Sequence, residues 1–131
     1  MPEYRHSSGA YTLTYFDGWS VHEAREKTTL WRTTDGGAIT VCVFQHREGE
    51  ADANALDQCK RLLKQNRQDE GQASGDLNAA YAIFATDDGA QWLVRTLVRG
   101  SRFILATYNF DRPVEEEVEE ARRTLASIEL L

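Results

Sequence analysis

From Leu77 to Phe110 the chain alternates from one side to the other with a period of two, interrupted twice by turn residues. Tyr81, Ile83 and Ala85 alternate with their neighbours until Asp87-Asp88-Gly89. Trp92, Val94, Thr96 and Val98 then interleave with Leu93, Arg95, Leu97 and Arg99 as far as Gly100-Ser101, after which Phe103-Ile104-Leu105-Ala106 runs back. Alternation bounded by Asp-Gly or Gly-Ser predicts three antiparallel strands joined by hairpins. Upstream, Tyr11 to Tyr15 alternates and stops at Asp17-Gly18, Trp19-Ser20-Val21 begins another strand, and Thr28 to Thr33 is β-branched around Leu30 and Trp31. Asp35-Gly36-Gly37 turns into Ala38–Phe44, which is apolar on both sides and therefore predicts a central strand covered on both faces.

Between Asp52 and Asn66 the period lengthens. Ala55, Leu56, Cys59, Leu62 and Leu63 recur at helical spacing, with Asp57, Lys60, Arg61 and Lys64 opposite them. The polar stretch from Gln65 to Asp76 reads as an exposed loop. Asp111-Arg112-Pro113 opens a second helix, with proline near its first turn and a polar residue able to cap it. Glu115, Glu116 and Glu117 suit the positive end of that helix, Arg122 and Arg123 its negative end, and Val118, Ala121, Leu125 and Ile128 form its buried stripe. The order β-β-β-β-α-β-β-β-α predicts an α+β fold: a single antiparallel sheet of about six to seven strands with two packed helices, residues 1–131 forming one domain.

Composition narrows what such a domain does. A net charge of −6 argues against nucleic-acid binding, which needs clustered Lys and Arg, and disfavours an anionic membrane surface. No stretch approaches the ~20 apolar residues of a membrane span, and Met1-Pro2-Glu3-Tyr4-Arg5-His6 opens no signal peptide; the expected compartment is the cytoplasm. Cys42 in an apolar strand and Cys59 on a helical stripe read as small buried hydrophobes rather than a disulfide framework.

The segment Tyr15-Phe16-Asp17-Gly18-Trp19-Ser20-Val21, the central helix, the Trp92 strand, Ser101-Arg102-Phe103-Ile104-Leu105-Ala106-Thr107-Tyr108 and the closing Ala121–Ile128 helix resemble the PsbP-like/DcrB-like superfamily. That fold also includes the Ran nucleotide-release factor. Relatives often carry a proline in the turn before the tryptophan, where this chain has Asp17-Gly18. The superfamily is mostly non-enzymatic, embracing photosystem assembly subunits, a GTPase-binding factor, lipoprotein-like domains and chaperones of secretion effectors. The resemblance implies a bacterial binding scaffold with no catalytic residue to carry over.

The residues point the same way. His6, His22 and His46 are scattered, without the spacing of a metal site. No serine sits in a G-x-S-x-G elbow, and neither cysteine has a signature of activation. Gly18, Gly36, Gly37 and Gly89 fall in hairpin turns rather than a phosphate cradle, and the acidic run Glu115–Glu120 is ordinary helix-start chemistry. No catalytic residue, cofactor or metal is therefore expected.

One face of the predicted hairpins is unusual. With Gly100-Ser101 as a two-residue loop, Arg99 faces Arg102 and Val98 faces Phe103. Trp92, Val94, Val98, Phe103 and Leu105 then share a core face. The opposite face carries Leu93, Leu97, Ile104 and Tyr108 among Arg95, Arg99 and Arg102, and a four-residue loop Asp87–Ala90 adds Phe84 and Ala82 to it. Opposed arginines repel unless something anionic lies between them. Either the Glu-rich closing helix or solvent satisfies them, or Arg95, Leu97, Arg99, Arg102 and Tyr108 meet another protein. The expectation is a non-catalytic protein-binding domain, an adaptor, chaperone or immunity-like protein. The alternative is a small-ligand binder with a pocket between sheet and helix lined by Trp19, Trp31, Tyr81 and Trp92.

Overall fold

The computed structural model describes residues 1–45, 54–112 and 114–131. Its centre is the hairpin of β8 (Gln91–Arg99) and β9 (Arg102–Phe110), paired along its full length from Gln91↔Phe110 to Arg99↔Arg102. Gly100 takes a positive φ of 61° at the first position of the two-residue turn, where glycine meets no steric penalty. Val98 therefore faces Phe103 and Arg99 faces Arg102, in the register that the turn residues predict.

Around this hairpin the sheet runs β3-β4-β5-β9-β8-β7-β6, antiparallel throughout. The remaining strands are β3 (Ser20–Glu23), β4 (Lys27–Trp31), β5 (Ala38–Gln45), β6 (Ala73–Gly75) and β7 (Ala79–Ala85). A second sheet, β1-β2-β10, joins β2 (Tyr11–Thr14) to β1 (Glu3–Arg5) on one side and to the C-terminal β10 (Glu129–Leu130) on the other. The expected single sheet is thus two, of seven and three strands. Strands β1, β6 and β10 span two or three residues, too few for an alternation to be read, and β10 follows a helix rather than a hairpin signal. Part of the predicted Gln65–Asp76 loop is likewise ordered, as a 3-10 turn at Glu70–Gln72 followed by β6.

Among the described residues one face of the large sheet is packed broadly and the other only over β6–β8. Strand β5, expected to be covered on both faces, is sealed on the side of Ile39 and Val41 but leaves Phe44 47% exposed on the other. Helix α1 (Ala55–Gln65) buries Ala55, Cys59 and Leu63 against Ala80, Ala82, Phe84 and Val94. Asn54 caps it by accepting from the Asp57 N–H at 2.9 Å. On the other face, α2 (Glu115–Ala126) and the small sheet enclose Tyr11, Leu13, Leu30, Ile39, Val41, Ile104 and Tyr108. Of the expected stripe, Ala121, Leu125 and Ile128 are buried, Ile128 just past the end of α2, and Val118 is only partly so; Leu125 and Ile128 contribute roughly 1.5–3 kcal/mol each. The N-cap of α2 is Val114, without a side-chain cap, so the helix starts later than Asp111-Arg112-Pro113 suggests and leans on its first-turn acids instead. Pro113 lies outside the described residues, as does His46.

Candidate functional site

The register of β7 against β8 decides what reaches the surface. Thr86 N–H donates to Ala90 O at 2.8 Å and Gly89 N–H to Thr86 O at 3.0 Å, with Gly89 at φ 90°. Asp87-Asp88-Gly89 is therefore a three-residue loop ending in a left-handed glycine, one residue shorter than the expected Asp87–Ala90. Phe84 pairs with Trp92 and Ala82 with Val94, so both belong to the α1 face rather than the arginine face. In their place Tyr81 pairs with Arg95 and Ile83 with Leu93 on the α2 side.

Helix α2 packs on β8, β9 and β2, leaving the outward side chains of β7 uncovered. Ile83 is 63% and Tyr81 41% exposed. With Leu93, Arg122, Leu125 and Ala126 they line an apolar groove of about 280 Å³ between β7 and α2. A second depression of about 570 Å³ adjoins it beside β10, lined by Arg95, Leu97, Arg99, Asn78, Ile128 and Glu129. Tyr81 lines the first and its strand partner Arg95 the second.

Arg95 is the anomaly of this surface. It is only 9% exposed, its Cζ lies 4.9 Å from the centre of the Tyr81 ring, and its Nη1 donates to the Tyr81 hydroxyl. Its Nε is buried with no partner among the described residues. Among the described residues the ion pairs are Arg32 with Glu116 and Glu120, and Arg122 with Glu119; none involves Arg95. Burial pulls its pKa below the ordinary arginine value, the nearby Tyr81 opposing that shift. Arg99 and Arg102 are satisfied by backbone: Arg99 Nη1 donates to Leu130 O at 3.1 Å and Arg102 Nη1 to Leu131 O at 2.9 Å.

No protein-family model matches the sequence, and no curated protein matches it. Solved structures do. A protein from Bacteroides thetaiotaomicron aligns with a TM-score of 0.65 at 16% identity, over 98% of this chain and 48% of its own. Cyanobacterial PsbP from Synechocystis sp. PCC 6803 aligns with a TM-score of 0.59 at 13% identity, over 99% of this chain and 92% of its own. The fold is PsbP-like. The chain spans about half the length of the Bacteroides protein, and identities this low speak for the fold alone.

Within this PsbP-like fold the five arginine-face residues part company. Arg95, Leu97 and Arg99 line one depression, whereas Arg102 turns towards the C-terminal backbone. Tyr108 is 1% exposed under α2 and donates to Glu117 Oε1 at 2.7 Å, because most of the face read as half-basic surface is core beneath α2 and the small sheet. The anionic company expected from the closing helix does not reach Arg95. The four aromatics of the alternative pocket also separate. Trp19 packs edge-on to Tyr108, and Tyr81 is on the same side; Trp92, stacked on Phe84, and Trp31, paired with Ala38, occupy the α1 side. Among the described residues no cluster of three or more His, Cys, Asp and Glu could hold a metal. His6 is a core residue: its Nδ1 accepts from the Ser8 N–H, so Nε2 carries the proton donated to Ala24 O at 3.1 Å. Ile83 and Arg122 were not visible as site residues in the sequence, although the Asp-Asp-Gly loop that places Ile83 was.

Proposed function

We propose that this chain is a non-catalytic protein-binding domain of the adaptor or chaperone kind, engaging its partner through the groove between β7 and α2. The PsbP-like fold is consistent with a non-catalytic protein domain. The observation that carries the reading is the exposure of Ile83 and Tyr81 side by side on β7, flanking an apolar groove with Arg122 at its rim. Isolated surface hydrophobes are ordinary, but adjacent ones bordering a groove, in aromatic and arginine company, are what interfaces favour.

Cross-linking mass spectrometry on affinity-purified complexes tests this. A stoichiometric partner cross-linked near β7 and α2, retained by Phe44→Ser on the opposite face and lost by Ile83→Asp, is the expected result. A partner bound equally well by Ile83→Asp, or a tightly held small molecule in its place, would overturn it.

A further inference from the structure

Arginine is built to be paired. Its guanidinium offers five N–H donors in a planar fork that matches a carboxylate bidentately, and burying it without an anion is unfavourable. Among the described residues Arg95 breaks that rule: it is nine-tenths buried, its side-chain partner is the Tyr81 hydroxyl, and its Nε has no acceptor. The groups around it among the described residues do not supply a counter-ion. Arg99 beside it is itself a cation, and Arg122 across the groove is held by Glu119 at 2.6 Å. Glu129 lines the same depression without forming an ion pair with Arg95. The overall charge of −6 makes this local cationic excess stand out further.

Packing alone gives no reason for the charge. Tyr81, Leu93 and Leu97 surround its strand position, and an unbranched apolar side chain would fill the same path without an orphaned donor. We propose that Arg95 is a carboxylate socket: it receives an Asp or Glu side chain from an extended partner segment whose apolar residues occupy the Tyr81–Ile83–Leu93 groove. This deepens the binding reading above and rests on it. In the complex the incoming carboxylate accepts from Nη2, which makes no hydrogen bond among the described residues and is not sealed as Nε is, while Nη1 keeps its bond to Tyr81, which orients the fork.

The experiment is an NMR titration read at the Arg95 Nε–Hε resonance and at the Ile83 methyls. The probes are a capped hexapeptide of alternating valine and aspartate, its valine–asparagine twin, and acetate, each up to about 1 mM, the range in which weak binding registers. The expected result is a saturable shift of both signals with the acidic peptide and at least about tenfold weaker binding of the twin. Acetate should give no comparable response. Arg95→Met should weaken the acidic peptide to the level of the twin while keeping the wild-type melting temperature. Equal binding of the two peptides, or an unchanged affinity in Arg95→Met, would overturn the socket and leave the groove standing. Silence of the Ile83 methyls with both peptides would overturn the groove reading as well. A response to acetate matching that to the peptide would assign the site to free small anions and remove the partner segment. Collapse of Arg95→Met on folding would show that the guanidinium is structural; Arg95→Gln then serves to confirm that loss.

Discussion

Glu117 Oε1 accepts two hydrogen bonds at once, from the Tyr108 hydroxyl at 2.7 Å and from the Gly37 N–H at 2.9 Å, at a position only 4% exposed. One carboxylate thereby ties the first turn of α2 to the C-terminal end of β9 and to the turn before β5. It also explains Gly37, where an added Cβ would lie 2.7 Å from the Tyr108 ring. Burial and this bond together push the Tyr108 phenol well above its ordinary pKa. Within the acidic run, one glutamate is thus a buried structural acceptor, while Glu116 and Glu120 reach Arg32 at its margin.

Removing that acceptor strands both donors. Glu117→Ala should destabilise the fold by about 1–3 kcal/mol per stranded group, and Glu117→Gln, which keeps a carbonyl acceptor, by clearly less. Urea denaturation midpoints of the two variants decide this. Equal losses would show that the side chain matters through its volume rather than through its hydrogen bonds.

A second carboxylate makes a prediction about pH. Tyr4 OH donates to Glu23 Oε1 at 2.5 Å and the Ser7 N–H donates to the same oxygen at 2.9 Å. The Tyr4 bond, followed by that from Ser7, lowers the Glu23 pKa from 4.5 to about 2. A depressed carboxylate contributes fully above its unfolded pKa and loses that contribution as pH falls through the folded one. Side-chain carbon NMR should therefore show Glu23 ionised down to about pH 2. Tyr4→Phe should return the midpoint towards the ordinary range. A midpoint unaffected by Tyr4→Phe would contradict the assignment.

The C-terminus of α1 carries a strained residue. Arg67 stands at φ 57°, with its N–H donating to Lys64 O at 3.1 Å and that of Gln68 to Leu63 O at 2.8 Å, the paired bonds of a Schellman motif. Glycine is the residue that occupies this position without steric cost. Arg67→Gly should raise stability by about 0.5–1 kcal/mol, read as a higher melting temperature, because the relief of left-handed strain outweighs the entropy glycine adds to the unfolded chain. A fall in melting temperature would mean that the Arg67 side chain makes a compensating contact.

The legibility of the fold follows the length of its signals. The β8–β9 hairpin could be placed to the residue because nine positions alternate on each side of Gly100-Ser101. The β7–β8 register slipped by one at Asp87-Asp88-Gly89, and a single-residue slip exchanges faces, which is why Phe84 stood where Ile83 belongs. Arg95, Leu97 and Arg99 were identifiable as neighbours from alternation alone. That Tyr108 is sealed beneath α2 while Ile83 is open depends on where the helix lies over the sheet, a tertiary fact with no local signature.

The two thiols distinguish a core position from a margin. Cys59 is fully buried on α1 with its Sγ 3.3 Å from Thr96 Oγ1, whereas Cys42 on β5 is half-buried. Burial raises both pKa values; Lys27 opposes this at Cys42 and the Thr96 bond at Cys59. Thiolates are the reactive form, so both residues should label slowly in the native protein. Cys42 should nonetheless react before Cys59, which needs α1 to lift from the sheet. Peptide mapping after timed alkylation gives the order, and Cys59 reacting first would mean that α1 opens more readily than the β5 margin. Full labelling of both only on denaturation, with an intact mass showing two free thiols, would fit Cys59 but place Cys42 deeper than its half-exposed position on β5 allows.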